Sequence, residues 1–304
     1  GRVYVYGAVE QELTGSGFFG VSVSLDNDTL VVGGEGPNRT GYVTVFKYLD
    51  DEWKGIQVLN GIHEGDSFGT SLALKADTLV VGVPFSDNEG KHRGSVDVYT
   101  KNGDGLFVEQ QKLYADDAAD FDDFGRAVVL HNDTIAVGVM GEDDQGQEVG
   151  SVYLFQRRHV DGKWSEFQRL RAEDGSPHDG FGEAVAIYQD TLVVGTNMKK
   201  RDLPGASGGA YVFSRINGSE WKPTQRLHAR EDKDNDDLQF GGTVAIDQET
   251  IVVGAMELLD DSEENDSVGK AYIYRRNGAS WTESLKLVPS DPVHGHIFGR
   301  ILAI

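Results

Sequence analysis

In this 304-residue chain, the residues whose types and spacing could bind a metal ion are clusters of carboxylates. Two acidic segments supply the candidate ligands, which are Asp232, Asp234, Asp236, Asp143, Asp144 and Glu148. Alternating carboxylates can converge on one hard cation such as Ca²⁺, which takes about 6–8 oxygen ligands. The glycine of the usual calcium loop is missing, because Asp237 stands in its place. A calcium site, with Ca²⁺ as the candidate cofactor, and a solvated acidic loop are therefore both open interpretations.

Catalytic motifs do not stand out from this background of acidic residues. The chain has no cysteine, which excludes a thiol nucleophile and a zinc-thiolate site. It has no G-x-S-x-G elbow between a strand and a helix, and no glycine-rich phosphate loop that opens a helix. We therefore predict no catalytic residue and a chain that is not an enzyme. The alternative is a hydrolase or lyase with its site in a central funnel of the fold.

The charge balance narrows the classes of partner. Fifty acidic residues against 28 basic ones give a formal net charge of −22. Nucleic acids and anionic membrane surfaces are bound by basic residues, so neither is an expected partner. No run of about 18 apolar residues is present, so no direct membrane insertion is predicted. Cations and basic partners are compatible with this charge.

The elements that must position these residues recur along the chain. Blade-like repeats begin near a Phe-Gly pair at Phe19, Phe68, Phe124, Phe181, Phe240 and Phe298. Each complete repeat continues with a second apolar run of the form TLVVG, a third of the form GSVYLF and a fourth that begins at an aromatic residue. Short runs rich in Val, Ile and aromatic residues, bounded by Gly, Asn and Asp, predict four antiparallel strands. A repeat period of roughly 50 residues is typical of propellers and solenoids.

We predict an all-β propeller of four-stranded antiparallel blades, in one domain that spans residues 1–304. Six blades are the economical count, and seven are the alternative. The sequence opens on a third strand, GRVYVYG, and closes on GRILAI, which has the pattern of a first strand. The last blade is therefore expected to be shared between N-terminal and C-terminal strands, in a chain that is part of a longer one.

The repeat resembles a known family. The series Phe-Gly, TLVVG, GSVYLF and Trp is similar to the FG-GAP repeat of the integrin α-subunit propeller. The resemblance covers nearly the whole chain and implies a β-propeller that serves binding or adhesion. In the integrin version, the loop between the first and second strands holds an Asp-rich calcium motif. That loop is a short turn here, as at Asp26-Asn27-Asp28, so this metal site is not carried over.

Function is expected on the face that carries the second-to-third loops and the linkers between blades. These segments are long and polar, and binding residues usually lie on loops held by a rigid scaffold. We predict a non-catalytic binding or adhesion module with a protein or glycan partner, assisted by calcium. The alternative is a structural repeat unit that assembles with other copies or domains in an extracellular or surface structure. Sequons at Asn38, Asn217 and Asn265 are candidate glycosylation sites, in line with an extracellular or cell-surface location.

Overall fold

The structure is a computed structural model, and every regular element in it is a β-strand. It describes residues 1–6, 10–36, 38–87, 91–117, 119–141, 149–175, 179–196, 208–218, 220–229, 238–257, 269–290 and 298–304. Among these residues no helix has the length and apolar character needed to cross a membrane. The predicted all-β class is confirmed.

The strands form six antiparallel sheets, of which the first has two strands and the others have four. The two-stranded sheet contains β1 (Arg2–Val5) and β2 (Gln11–Thr14). Sheet 1 contains β3 (Ser22–Asp26), β4 (Thr29–Gly34), β5 (Tyr42–Leu49) and β6 (Glu52–Asn60). Sheet 2 contains β7 (Leu72–Lys75), β8 (Thr78–Val83), β9 (Ser95–Lys101) and β10 (Phe107–Leu113).

The remaining three sheets follow the same order. Sheet 3 contains β11 (Ala127–His131), β12 (Thr134–Val139), β13 (Ser151–Arg157) and β14 (Trp164–Leu170). Sheet 4 contains β15 (Phe181–Tyr188), β16 (Thr191–Thr196), β17 (Gly209–Ile216) and β18 (Glu220–Leu227). Sheet 5 contains β19 (Leu238–Asp247), β20 (Thr250–Glu257), β21 (Lys270–Asn277) and β22 (Ser280–Leu287). The six sheets are consistent with the blades of a six-bladed β-propeller.

Each four-stranded sheet follows from local sequence. Second strands such as β4 and β8 are buried along their whole length, which explains their unbroken apolar runs. The turn before each second strand contains a residue with positive φ, such as Asn27 (54°) or Asn132 (50°). Asn accepts this left-handed conformation more readily than most residues. The predicted tight hairpins between first and second strands are thus confirmed.

The chain divides into two compact units, residues 1–142 with 153–167 and residues 143–152 with 168–304. The core of the first unit lies between successive sheets. One cluster there joins Val31 and Val45 of sheet 1 to Leu79 and Val81 of sheet 2. In the second unit, an equivalent cluster joins sheets 4 and 5 around Phe240. The prediction of a single domain over residues 1–304 stays a prediction.

In the first unit, the Phe-Gly pair joins sheet 2 to sheet 1 and sheet 3 to sheet 2. The glycine just before a third strand forms a parallel bridge with the phenylalanine of the next pair, as in Gly41 with Phe68 and Gly94 with Phe124. A Cβ atom on Gly94 would lie 2.2 Å from the carbonyl oxygen of Phe124. Only glycine permits this approach, which explains why this residue type recurs at the position.

A glutamine in the fourth strand provides a second link between sheets. Gln57 Nε2 donates a hydrogen bond to the Phe107 carbonyl (2.8 Å), and Phe107 N–H donates to Gln57 Oε1 (2.8 Å). The same two-bond bridge forms in Gln11 with Trp53, Gln111 with Trp164, Gln168 with Trp221 and Gln225 with Trp281. Each bridge satisfies the backbone of an aromatic residue on the next fourth strand, a partnership that the sequence analysis did not predict.

Replacing Gln57 by leucine is expected to destabilise the protein by about 2 kcal/mol. The substitution leaves the N–H and the carbonyl of Phe107 without their partner, and unsatisfied buried polar groups cost about 1–3 kcal/mol. Urea unfolding would measure the loss. Gln57→Asn is the matched control, because it keeps the amide but is one methylene short of Phe107. An unchanged unfolding free energy in both variants would contradict the role of the bridge.

The last predicted strand differs from the structure. Residues 299–304 form turns and irregular backbone, and β1 and β2 pair with each other in a two-stranded sheet. Other first strands pair with a second strand of their own sheet, as β11 does with β12. Among the described residues, no second strand pairs with residues 299–304. The shared last blade stays a prediction.

Candidate functional site

A cleft of about 550 Å³ lies in the first unit, between sheets 1 and 2. Its walls come from the linker that follows β6, the loop that follows β8, and the adjoining ends of β9 and β10. This is the side of the sheets on which the sequence predicts function. We call it the Asp97 cleft, and its central lining residues are Phe68, Ser86, Asp97, Tyr99 and Lys112. Its volume is within the usual range of ligand sites.

Asp97 is the most unusual residue of the cleft. It lies within the third strand β9 with a valine on each side, and it is only 3% exposed. Lys112 is its cross-strand partner in β10, and Lys112 Nζ donates to Asp97 Oδ2 at 2.5 Å. The other oxygen, Oδ1, is buried and accepts no hydrogen bond from the described residues. Packing alone does not explain a buried carboxylate with one unsatisfied oxygen, because buried polar atoms in native proteins usually have a hydrogen-bond partner.

Burial governs the electrostatics of this ion pair. Desolvation raises the pKa of Asp97, and the hydrogen bond and positive charge of Lys112 only partly oppose it. Burial by itself lowers the pKa of Lys112, but the hydrogen bond and the negative charge of Asp97, together with the charge of Glu109, outweigh this effect and raise the pKa. Lys112 is thus held in its charged form. The raised pKa of Asp97 means that its carboxyl group binds a proton more readily than a free carboxyl group does, and a further positive charge would stabilise its ionised form.

Further carboxylates surround this pair. Asp66 lies in the linker, is 8% exposed, and has a pKa raised by burial although His63 opposes the shift. The other acidic lining residues are Glu64, Asp87 and Glu109. Five carboxylates therefore face the cleft against one lysine. Such a lining concentrates negative potential and attracts cations.

Sequence analysis missed Asp97, although a signal was present. Aspartate is depleted in strands, and the third strand SVDVY differs from its counterpart SVYLF at this position. Comparison of the repeats position by position identifies it as a substitution inside a buried strand. Phe68 and Lys112, which line the cleft together with Asp97, occupy repeat positions that are common to other sheets. These two residues therefore carry no signal by themselves.

The candidate calcium ligands lie outside the described residues. This applies to Asp232, Asp234, Asp236, Asp143, Asp144 and Glu148. Within the described ranges, no group of three or more His, Cys, Asp or Glu side chains is arranged to hold a metal ion. The calcium site therefore stays a prediction.

Two of the three candidate glycosylation sites are described. Asn38 is exposed, and its Nδ2 donates to Glu64 Oε1 at 2.6 Å, so it adjoins the acidic rim of the cleft. Asn217 is exposed in the turn between β17 and β18, with φ of 50°. Asn265 lies outside the described residues. Glycosylation at these positions stays a prediction.

Comparison with known proteins gives one family match. A family model described as FG-GAP repeat matches residues 60–99, 107–155, 164–213 and 221–274, which together exceed half of the chain. The crystal structure of Saccharomyces cerevisiae Sqt1 is similar at 11% identity, over 91% of this chain and 77% of that chain, with a TM-score of 0.49. No curated protein sequence matched the chain.

Proposed function

Because the chain belongs to the FG-GAP repeat family, a family of propeller repeats, we propose that it is a non-catalytic binding module. The single observation that carries the proposal is the Asp97 cleft, in which five carboxylates face one lysine. This lining favours a cationic partner over an anionic one, because like charges repel across a desolvated surface. Among protein and glycan partners, we favour a protein that presents a basic segment.

The surroundings of the cleft also suit a protein partner. Glu64 is an exposed residue of the linker, and its carboxylate accepts from Asn38 of the preceding loop. This hydrogen bond ties the loop to the linker at the exposed edge of the cleft. A polar, charged rim around a more buried centre is the usual anatomy of a protein-binding surface.

Adhesion, calcium assistance and an extracellular or cell-surface setting belong to the same proposal. They derive from the family resemblance, the acidic loops and the sequons. The competing function is a structural repeat unit in a larger surface assembly, for which light scattering over a range of concentrations is the test. A concentration-dependent polymer would favour assembly over a binding role.

A labelled pentalysine peptide is expected to bind the chain, whereas pentaglutamate is not. Fluorescence anisotropy would measure the affinity at about 50 mM and 500 mM salt, and binding is expected to weaken at high salt because exposed charges are screened. Glu64→Lys with Asp87→Lys is expected to weaken pentalysine binding by about tenfold, equivalent to about 1.4 kcal/mol.

Asp77→Lys with Asp104→Lys is the matched control for this charge reversal, because it changes the net charge by the same amount at exposed turns of the sheet. Asp104 is an exposed residue of the turn between β9 and β10, at the opposite end of the sheet from the cleft. The control should bind pentalysine almost as the parent does. Equal loss of affinity in the control and in Glu64→Lys with Asp87→Lys would mean that net charge, and not the cleft, accounts for binding.

A further inference from the structure

The phenylalanine of the Phe-Gly pair has two aromatic neighbours in sheets 3, 4 and 5. One of the two is always a buried tyrosine from the middle of the third strand, with its ring edge-on to the phenylalanine. The ring centroids are 5.7 Å apart for Phe124 and Tyr153, 5.5 Å for Phe181 and Tyr211, and 5.4 Å for Phe240 and Tyr272. The repeat thus has a defined slot for a phenol ring beside this phenylalanine.

Polar groups complete the slot. The Tyr153 hydroxyl donates to Asp117 Oδ1, and the Tyr211 hydroxyl donates to Asp174 Oδ1, each at 2.7 Å. Both aspartates lie in the linker that precedes the sheet. A cationic side chain from the fourth strand covers the ring, since the Arg226 guanidinium lies 5.3 Å from the Tyr211 centroid. Cations favour this position because the face of the ring is electron-rich.

Sheet 2 keeps the phenylalanine and the fourth-strand cation of the slot but not its ring. Asp97 stands where the sister strands have tyrosine. Phe68 is buried and, among the described residues, has one ring neighbour, Tyr99, at 6.3 Å. Lys112 occupies the fourth-strand position of Arg226, and the linker supplies Glu64. All of these residues line the Asp97 cleft.

Sheet 1 shows that a small residue at this position does not by itself open a cleft. Thr44 stands at the tyrosine position there, but the nearby Tyr42 reaches the preceding linker and its hydroxyl donates to the Ser16 carbonyl at 2.8 Å. The corresponding residue in sheet 2 is Ser95, which is too short to do so. Sheet 2 therefore combines two small side chains, and the cleft of about 550 Å³ results.

We infer that the Asp97 cleft binds a phenol ring, supplied by a tyrosine side chain within the basic segment of the protein partner. The inference rests on the proposed binding role of the cleft and names the anchor residue. The ring packs edge-on against Phe68 and beside Lys112, as its counterparts do in the sister sheets. Its hydroxyl donates to a linker carboxylate, for which Glu64 and Asp66 are the candidates. Tyrosine is among the residues that most often anchor protein interfaces.

Binding of p-cresol to the whole chain is the first test. Titration followed by NMR is expected to show saturable binding, with intermolecular contacts from the p-cresol ring to Phe68 and Tyr99. Toluene, which lacks the hydroxyl, should bind more weakly because a linker carboxylate then loses its donor. Contacts elsewhere on the chain, or equal affinity for toluene and p-cresol, would overturn the inference.

Asp97→Tyr is the matched variant, because it restores the residue that the sister strands carry. It is expected to fill the slot and abolish p-cresol binding. Asp104→Tyr, in the exposed turn, adds the same side chain elsewhere and should leave p-cresol binding intact. Undiminished binding to a folded Asp97→Tyr protein would overturn the inference. Were this variant not to fold, the NMR contacts of the parent protein would still decide the question.

Three capped peptides separate this inference from the proposed function. Lys-Tyr-Lys is expected to bind about tenfold more tightly than Lys-Ala-Lys, and the advantage should vanish in Asp97→Tyr. If pentalysine binding depends on Glu64 and Asp87 but a tyrosine adds no affinity, the phenol slot is overturned and the proposed function stands. If the chain binds Glu-Tyr-Glu as tightly as Lys-Tyr-Lys and does not bind pentalysine, the phenol slot is supported and the basic partner is overturned.

Discussion

Gly94→Ala is expected to destabilise the protein by at least about 4 kcal/mol, at the upper end of the range for single substitutions. Two effects combine at this position. The backbone has φ of +79°, which costs a residue with a Cβ atom about 1–2 kcal/mol. The new Cβ atom would also lie 2.2 Å from the Phe124 oxygen and 2.5 Å from its nitrogen, so the bridge between sheets 2 and 3 must open.

Gly105→Ala isolates the backbone contribution from the steric one. Gly105 has nearly the same φ, +78°, but no atom lies within 4 Å of the position of its Cβ. Its substitution should therefore cost only the conformational strain of about 1–2 kcal/mol. Unfolding in urea, followed by circular dichroism, would compare the two variants. Similar losses for Gly94→Ala and Gly105→Ala would mean that the close approach to Phe124 contributes little.

Lys112→Met is the second substitution with a large expected effect, a loss on the order of 3 kcal/mol at neutral pH. Removing one partner of a buried ion pair leaves an uncompensated charge, which typically costs about 3–5 kcal/mol. We place the loss at the lower end because the Lys112 side chain is 33% exposed and water screens part of its charge. Methionine keeps the apolar length of the side chain, so packing changes little.

The deficit of Lys112→Met should shrink in acid. The pKa of Asp97 is already raised by burial, and it rises further when the ammonium group is removed. A carboxyl group whose pKa is higher in the folded state than its unfolded value of 3.8 favours folding below that value. This contribution is lost as the pH rises through the folded-state pKa. Urea midpoints across the range from about pH 4 to pH 8 would therefore diverge increasingly from those of the parent.

The double variant Asp97→Asn with Lys112→Met is the control for this interpretation. It removes both charges, so most of the stability lost in Lys112→Met should return, together with the acid dependence. The coupling energy from the double-mutant cycle then measures the ion pair. A double variant no more stable than Lys112→Met would show that packing, and not charge, is the cause.

The positions of the strands and hairpins were predicted well from sequence. In sheet 1, the run TLVVG predicts β4, the run GYVTVF predicts β5, and the run around Trp53 predicts β6. The same pattern recurs through sheet 5. These features depend on neighbouring residues and on pairing between consecutive strands. Residues 299–304 are the exception, because a first-strand pattern forms a sheet only with a second strand beside it.

The candidate site was predicted only in its general location. The polar linkers and loops predicted the side of the sheets on which the Asp97 cleft lies, whereas the candidate ligands Asp232, Asp234 and Asp236 lie outside the described residues. The buried Asp97 escaped notice because its significance depends on what surrounds it. In the sequence, Asp97 is only an unusual residue type for a strand. The structure shows its setting, because it places Lys112 against the carboxylate and Phe68 in the same cleft.

The sequence by itself determined the repeat, the all-β class, the turn positions and the acidic character of the chain. Hydrogen bonding between consecutive strands is a local matter, and a repeated pattern of apolar runs and turns is sufficient to specify it. Only the tertiary structure decided the glutamine bridges and the Asp97 cleft. Both arise where sheets some 50 residues apart in the chain pack together, as Gln57 and Phe107 do. Packing of this kind depends on the shapes of distant side chains, which no local pattern records.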